Sequence, residues 1–315
     1  MRWRRRLVAA AEIALVVIAI GALGFWCSVP NTAPLADENP TSTAFIDLRR
    51  DQAADAHKKW KLQWQWKRLG QISRYLRAAV VYAEDYHFYT HNGVDWEALE
   101  SAAERDLGAG QLRIGGSTIT QQLAKNLYLS PNRSFLRKLR EMLIAFSLED
   151  HLGKTRILEL YLNIVEWGDG IFGAEAAARH WFGHSAASLS PAEAVRLAIA
   201  LPNPIDRAPD KSSPELTQKA VRIIRLLRMQ GLIDSSQERT ALDEVGASGE
   251  RVLPDHGQIE GSAPKAEEPA PPKTEQPAPP KTEEPAPPKT EEPAPPKPEA
   301  PPEQPPSSGP VTQPE

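Results

Sequence analysis

Residues 84–93 read Glu-Asp-Tyr-His-Phe-Tyr-Thr-His-Asn-Gly, and 115–126 read Gly-Gly-Ser-Thr-Ile-Thr-Gln-Gln-Leu-Ala-Lys-Asn. An acidic pair, Glu84-Asp85, is followed by a segment dense in neutral hydrogen-bond donors with one lysine. That combination suits a carboxylate taking a proton from a hydroxyl beside a site that holds an anionic leaving group. Glu84 ends an apolar approach, Arg-Ala-Ala-Val-Val-Tyr-Ala at 77–83, which would leave its carboxyl short of water and raise its pKa. Taken alone, a solvated Glu-Asp pair at a helix end explains these residues as well. His87 and His91 stand at a metal-pair spacing, but the zincin pattern needs glutamate after the first histidine and Phe88 is there instead. His91 is expected to hydrogen-bond the turn at Asn92-Gly93.

In the second segment Ser117 is expected to cap a helix on which Gln121 and Lys125 share a face. A nucleotide P-loop is excluded, because the Gly-Lys-Ser/Thr ending is missing. A loop leading into a helix, with a lysine one turn further on, still suits a diphosphate. Arg137, Lys138 and Glu141 extend the charged set. Their spacing is also that of an ordinary surface ion pair, contributing only about 0.2–0.5 kcal/mol.

The elements that must position these residues read as helical from 72 to 247. Leu136, Leu139, Leu143, Ile144 and Phe146 form a stripe of period near 3.6, and Ile157, Leu158, Leu160, Tyr161 and Ile164 form another. Ser190-Pro191-Ala192-Glu193 joins an N-cap serine, a proline at the first helical position and a capping-box glutamate. Gly170, Gly173 and Gly231 punctuate turns. No segment sustains a period of two between hairpin turns. The expected unit is a single, mainly α domain over 57–247, long enough for a proper core.

Before it, Arg2, Arg4, Arg5 and Arg6 form a cytoplasmic arm (1–6) ahead of an apolar run, 7–27, broken only by Glu12. Twenty-one helical residues span about 31 Å, the thickness of a bilayer core, with Trp3 and Trp26 at its edges. The run reads as an uncleaved transmembrane anchor rather than a signal peptide, since it is long and lacks a small-residue cleavage site. Everything after Cys27 is then extracytoplasmic. The lone cysteine cannot form an internal disulfide and reads as a buried or membrane-edge thiol. Residues 28–56, interrupted by Pro30, Pro34 and Pro40, read as a linker. Cations alternate with Trp60, Trp64 and Trp66 over 58–68, which suits either an anionic membrane surface or the edge of the core.

Behind the domain, 248–315 is a proline-rich tail in which Lys-Thr-Glu-Glu-Pro-Ala-Pro-Pro recurs with period eight. Such a unit buries no apolar face, so a disordered, partly polyproline-II arm is expected. Residues 264–315 hold 5 Lys and 10 Glu of the chain's 37 basic and 41 acidic residues, leaving 32 and 31 in the body. The body is near neutral, and nothing in its charge points to nucleic acid.

Jointly the boxes are specific. The Glu-Asp-x-x-Phe-x-x-His-x-Gly box at 84–93 and Gly-Gly-Ser-Thr-Ile-Thr-Gln-Gln-Leu-Ala-Lys-Asn at 115–126 are joined by three more. These are Arg137-Lys138-x-x-Glu141, Arg156-Ile-Leu-Glu-Leu-Tyr-Leu-Asn163, and Val165-Glu-Trp-Gly168 leading into Phe172-Gly-Ala-Glu-Ala-Ala-Ala-Arg179. From about Gln71 to Asn203 the chain resembles the glycosyltransferases that polymerise peptidoglycan glycan strands (family 51), most closely the monofunctional membrane-anchored members. No transpeptidase set follows residue 204. The resemblance implies a lysozyme-like helical domain with a small membrane-facing jaw, at the bacterial inner membrane with its catalytic domain outside the cytoplasm. Its substrates would be lipid II and the undecaprenyl-diphosphate-linked glycan. Other implied company is membrane lipids and further cell-wall synthesis proteins.

In that scheme Glu84 corresponds to the general base and Glu141 to the second glutamate. Lys125, Arg137 and Lys138 correspond to the positive cluster that stabilises the leaving diphosphate. Ser117, Gln121, Gln122 and Asn126 would supply donors along the sugar and phosphate groove, and Asp85, Phe88, His91 and Thr118 complete the substrate-binding set. No cofactor is required by the resemblance, and a Mg²⁺ or Mn²⁺ ion between Glu141 and the diphosphate stays open. Two other readings compete. A lysozyme-like hydrolase or lytic transglycosylase wants carboxylates around a sugar and no cationic cluster. A non-catalytic scaffold would be marked by loss of Glu84 or Glu141, and both are present.

Overall fold

The computed structural model describes residues 2–108, 116–130 and 134–249, without the side chains of 2, 4, 5, 8–11, 22 and 103–108. Helix α1 (Arg2–Cys27) is followed by α2 (Ala44–Asp55), a short strand β1 (Gln63–Trp64) and α3 (Arg74–Glu84). Next come α4 (Trp96–Gly108), α5 (Ile119–Tyr128), α6 (Phe135–His151) and α7 (Lys154–Ile164). Strands β2 (Glu166–Gly168) and β3 (Ile171–Phe172) precede α8 (Ala174–Phe182), α9 (Pro191–Ala200), α10 (Pro214–Met229) and α11 (Ser235–Glu244). The mainly helical expectation holds, and the proline-rich tail lies outside the described residues.

The helices start where local chemistry lets them. Ser190 caps α9 by accepting from the Glu193 N–H (3.2 Å), while Glu193 accepts from the Ser190 N–H (2.8 Å), as the sequence predicts. The core gathers around α7, whose Ile157, Leu158, Leu160, Tyr161, Leu162 and Ile164 are all buried. Helices α3, α5, α8 and α9 contribute to the same cluster. Trp167 is fully buried, and its indole donates to the Leu197 carbonyl at 3.0 Å.

A three-stranded sheet, order β1-β3-β2, was not legible from the sequence. β1 pairs in parallel with β3, and β2 pairs antiparallel to β3 across a register irregularity. Strands of two or three residues are too short for alternation to show. Glycine makes the arrangement fit: a Cβ at Gly170 would lie 2.5 Å from the Lys61 carbonyl, and one at Gly173 2.6 Å from the Asn163 carbonyl. Both residues have positive φ.

Residues 28–56, expected as a linker, are built into the domain. Leu35, on a 3₁₀ turn at Ala33–Ala36, is buried, and Ile46 of α2 is fully buried. Thr32 donates to the Ser147 carbonyl (2.9 Å), and the Arg156 guanidinium donates to the Leu35 and Glu38 carbonyls (both 2.8 Å). Arg49 of α2 grips buried Glu166 through two bonds of 2.9 and 2.7 Å. Prolines remove the periodicity that would have shown this, and the ties are to residues more than a hundred positions away. The tryptophans of 58–68 sit at the core edge: Trp64 and Trp66 pack against the core, and the Trp64 indole donates to the Asn163 carbonyl (2.6 Å).

Helix α1 runs unbroken through the apolar segment, with Ile13, Leu15, Val16, Val17, Ile18 and Ile20 exposed. Among the described residues no helix is long and apolar enough to cross a membrane; several side chains of α1 lie outside that description. Cys27 is exposed, which removes the buried alternative. The stripe on α6 divides: Ile144 is in the core, Leu143 and Phe146 are half-buried, and Leu136 and Leu139 are exposed.

Gly173→Ala should destabilise the domain by more than Gly183→Ala, because both have φ near +80° but a Cβ at Gly183 meets open space. The expected costs are about 1 kcal/mol at Gly183 and about 3 kcal/mol or more at Gly173. Urea unfolding of both variants measures this; equal costs would contradict the close approach described here.

Candidate functional site

Glu84 is the last residue of α3, presented where the helix stops. Its neighbour Asp85 turns inward. Asp85 is buried, accepts from the Ile119 N–H (2.9 Å) and meets Nε2 of His91 at 2.9 and 3.1 Å. A carboxylate at the first N–H of α5 satisfies an orphan donor and complements the helix dipole. Helices α3 and α5 are thereby locked together within one residue of Glu84. His91 bonds Asp85 rather than the Asn92-Gly93 turn, because the backbone there brings the ring back onto α3. Phe88 is fully buried, with Nζ of Lys154 4.6 Å above its ring centre. Asp85, Phe88 and His91 therefore form the support beneath Glu84.

The start of α5 is also fixed, one residue later than expected. Thr118, not Ser117, is the N-cap: its hydroxyl accepts from the Gln121 N–H (3.1 Å) and donates to the Gly93 carbonyl (2.6 Å). Gln121 completes a capping box by accepting from the Thr118 N–H (3.2 Å). Ser117 instead accepts from Nζ of Lys138 (2.8 Å). Gln121 and Asn126 are buried on α5, whereas Gln122 and Lys125 are half-buried.

Gln122 turns from α5 to Glu84. Its amide nitrogen donates to Oε2 of Glu84 at 2.7 Å, and its amide oxygen accepts from the hydroxyl of Tyr161 at 2.9 Å. Tyr161 is fully buried, and burial holds its pKa well above the ordinary value, so the hydroxyl keeps its proton and remains a donor. A donor on one side of the amide fixes which end faces Glu84. Sequence reasoning placed Gln122 along the substrate groove and gave Tyr161 no role. The Leu-Tyr-Leu-Asn box was visible, but nothing local says that its hydroxyl meets a glutamine 39 positions earlier.

Burial pushes the Glu84 pKa up, opposed by the Gln122 hydrogen bond and by the charges of Lys125 and Lys219. Burial pulls the Lys125 pKa down, opposed by Glu141 and Glu84 and reinforced by Arg137 and Lys138. Glu141 is buried between two cations of its own helix: Arg137 donates to one carboxylate oxygen (2.5 Å) and Lys138 to the other (2.6 Å). Both cations are thus held in place without a ligand, and Lys138 reaches across to Ser117 as well. With each oxygen facing a cation, Glu141 is a poor seat for Mg²⁺ or Mn²⁺. Among the described residues no group of three or more His, Cys, Asp or Glu could hold a metal ion; His87 meets Asp95 at 3.0 Å and His91 meets Asp85.

A base short of water beside a preorganised set of cations suits displacement of an anionic leaving group by a hydroxyl. The family model described as Transglycosylase matches residues 52–229, more than half the chain. The chain belongs to the transglycosylase family. It is 49% identical over 185 residues to a protein of Aromatoleum aromaticum called biosynthetic peptidoglycan transglycosylase, covering 59% of this chain and 80% of that one. A protein of the same description from Azoarcus sp. is 50% identical over 186 residues, with 59% and 80% covered. One from Alcanivorax borkumensis is 47% identical over 204 residues, covering 65% and 79%. The matched region of the transglycosylase includes every residue discussed above as part of the site.

Were Glu84 the group that takes the proton, it would have to be ionised first, and the acid limb of the rate profile would lie above the ordinary glutamate pKa. Gln122→Ala and Tyr161→Phe should move that limb to higher pH, since both weaken the one hydrogen bond that favours the carboxylate. The pH dependence of kcat/KM measures it, and a limb that stays in place in both variants would contradict the relay. The same shift has a stability sign: a carboxyl raised on folding weakens the fold as pH rises through the raised value. Glu84→Gln should therefore be at least as stable as the parent at neutral pH.

Proposed function

We infer that this chain is a monofunctional peptidoglycan glycosyltransferase that polymerises glycan strands from lipid-linked precursor, acting at the cell envelope. The family match and the named relatives support the reaction class. The observation that carries the mechanism is the half-buried carboxylate of Glu84, raised in pKa and set within electrostatic reach of Lys125.

In this reading the acceptor is lipid II, and Glu84 removes the proton from the 4-hydroxyl of its GlcNAc. That oxygen bonds to C1 of the donor MurNAc while the bond from C1 to the diphosphate oxygen breaks, with inversion. Undecaprenyl diphosphate leaves with the electron pair, and the proton stays on Glu84 until solvent takes it. Lys125, Arg137 and Lys138 offset the charge gathering on the diphosphate. Glu141 holds Arg137 and Lys138 in position, and Gln122 with Tyr161 aims the base.

A lipid-linked donor requires the site to sit at a bilayer. Helix α1, with its row of exposed aliphatic side chains, fits a single-pass anchor, and exposed Phe135 and Leu136 at the start of α6 fit contact with the same membrane. The arginines at 2 and 4–6 orient that anchor with the catalytic domain outside the cytoplasm.

Glu84→Gln should abolish polymer formation from labelled lipid II in detergent, a drop of about 10³-fold or more, while lipid II still binds. The amide keeps shape and the bond from Gln122 but cannot take the proton. Polymer formation at the parent rate would refute the assignment of the base.

A further inference from the structure

Outside the charged cluster of α5 and α6 the molecule carries a second cationic feature, on α10. The inner face of this helix, with Leu216, Ala220, Ile223, Ile224 and Leu227, is buried in the core. Its outer face lines an open groove of about 1280 Å³, to which Gly246, Ala247 and Gly249 also contribute. Lys219, Arg222 and Arg225 line it, with Ser213 and Thr217 supplying hydroxyls and Met229 an apolar end. Among the described residues no acidic side chain lines the groove. Lys219 does pair with Glu215 at 3.1 Å, but both are well exposed and four apart on one helix, a pairing that water and salt readily compete with.

The groove is placed by the way α10 packs on α3. The Tyr75 hydroxyl, at the start of α3, accepts from the Gln237 amide of α11 at 3.3 Å, and the charge of Lys219 on α10 acts on Glu84 at the end of α3. Helix α10 thus packs beside the helix that ends in Glu84, with the groove along its outer face. Helices α5 and α6, which hold Lys125, Arg137 and Lys138, pack on each other and on α7, whereas α10 packs on α3, α9 and α11. Cations thus approach Glu84 from two separate parts of the fold. One set is accounted for by the diphosphate.

We propose that the α10 groove binds the acidic peptide stem of the lipid II acceptor, with Lys219 and Arg222 receiving its carboxylates. The inference rests on the glycan-polymerase reading and deepens it. An acceptor hydroxyl at Glu84 brings the rest of its disaccharide-peptide within reach of the neighbouring surface, and an extended peptide with several carboxylates fits a groove that offers Lys219, Arg222 and Arg225 with hydroxyls beside them. Held there, the stem fixes the direction from which the acceptor sugar enters.

The test uses the full chain in detergent, unsubstituted and as Arg222→Gln; this side chain is exposed, so the fold is not at stake, and Lys219, whose charge acts on Glu84, is left in place. Each protein is assayed with lipid II and with lipid II whose stem carboxylates are amidated. The variant should raise KM for lipid II about tenfold, with kcat changed by less than about twofold, and handle the amidated substrate as the parent does. An equal KM in parent and variant, or an equal shift for both substrates, overturns the proposal. Calorimetric titration with soluble muramyl-pentapeptide separates this from the polymerase reading. Saturable binding that weakens about tenfold in the variant supports the groove whether or not polymer forms, and no binding to the parent overturns it. Absence of polymer from the parent protein counts against the polymerase reading alone.

Discussion

An ionised carboxylate taken partly out of water is costly, and most of what surrounds Glu84 offsets that cost. The Gln122 amide gives it one strong hydrogen bond, while Lys125 and Lys219 add charge from two sides. None of these partners is strong enough to cancel the effect of burial, so the group stays a better base than a solvated glutamate. Glu141, by contrast, meets a cation at each of its carboxylate oxygens. Two glutamates in one site thus take opposite settings, one short of charge partners and one saturated with them.

The position of the Glu84 carboxylate depends on contacts within the fold. Asp85 ties the end of α3 to the start of α5 through the Ile119 N–H, and His91 returns to hold Asp85. Thr118 and Gln121 set the phase of α5, so that Gln122 faces Glu84 and Lys125 follows one turn later. Tyr161, on the buried helix α7, then orients the Gln122 amide. A rotation of α5 by one residue would break all of these together, which makes the N-cap a functional constraint as well as a local one.

Much of this was legible in the sequence, and the parts that were not share a cause. The helices, the capping box at Ser190 and the clustering of Glu84, Lys125, Arg137, Lys138 and Glu141 follow from periodicity, local caps and motif order. What escaped were contacts across the chain: Gln122 to Tyr161, Asp85 to Ile119, and residues 28–56 against α6 and α7. Local spacing carries no information about them. Ser117 and Thr118 show a subtler limit, since either hydroxyl could cap α5. The choice falls to Thr118 because Gly93 offers it a carbonyl and Lys138 occupies Ser117.

The proton affinity of Glu84 is the quantity on which the account turns. Selective carbon labelling of glutamate carboxyls, with the Glu84 signal assigned by its loss in Glu84→Gln, allows its titration to be followed directly by NMR in detergent. The account predicts a midpoint clearly above the ordinary range of a solvated glutamate, moving higher still in Gln122→Ala. A midpoint within or below that range in the parent protein would contradict it, because Glu84 would then be an ordinary solvated or ion-paired carboxylate.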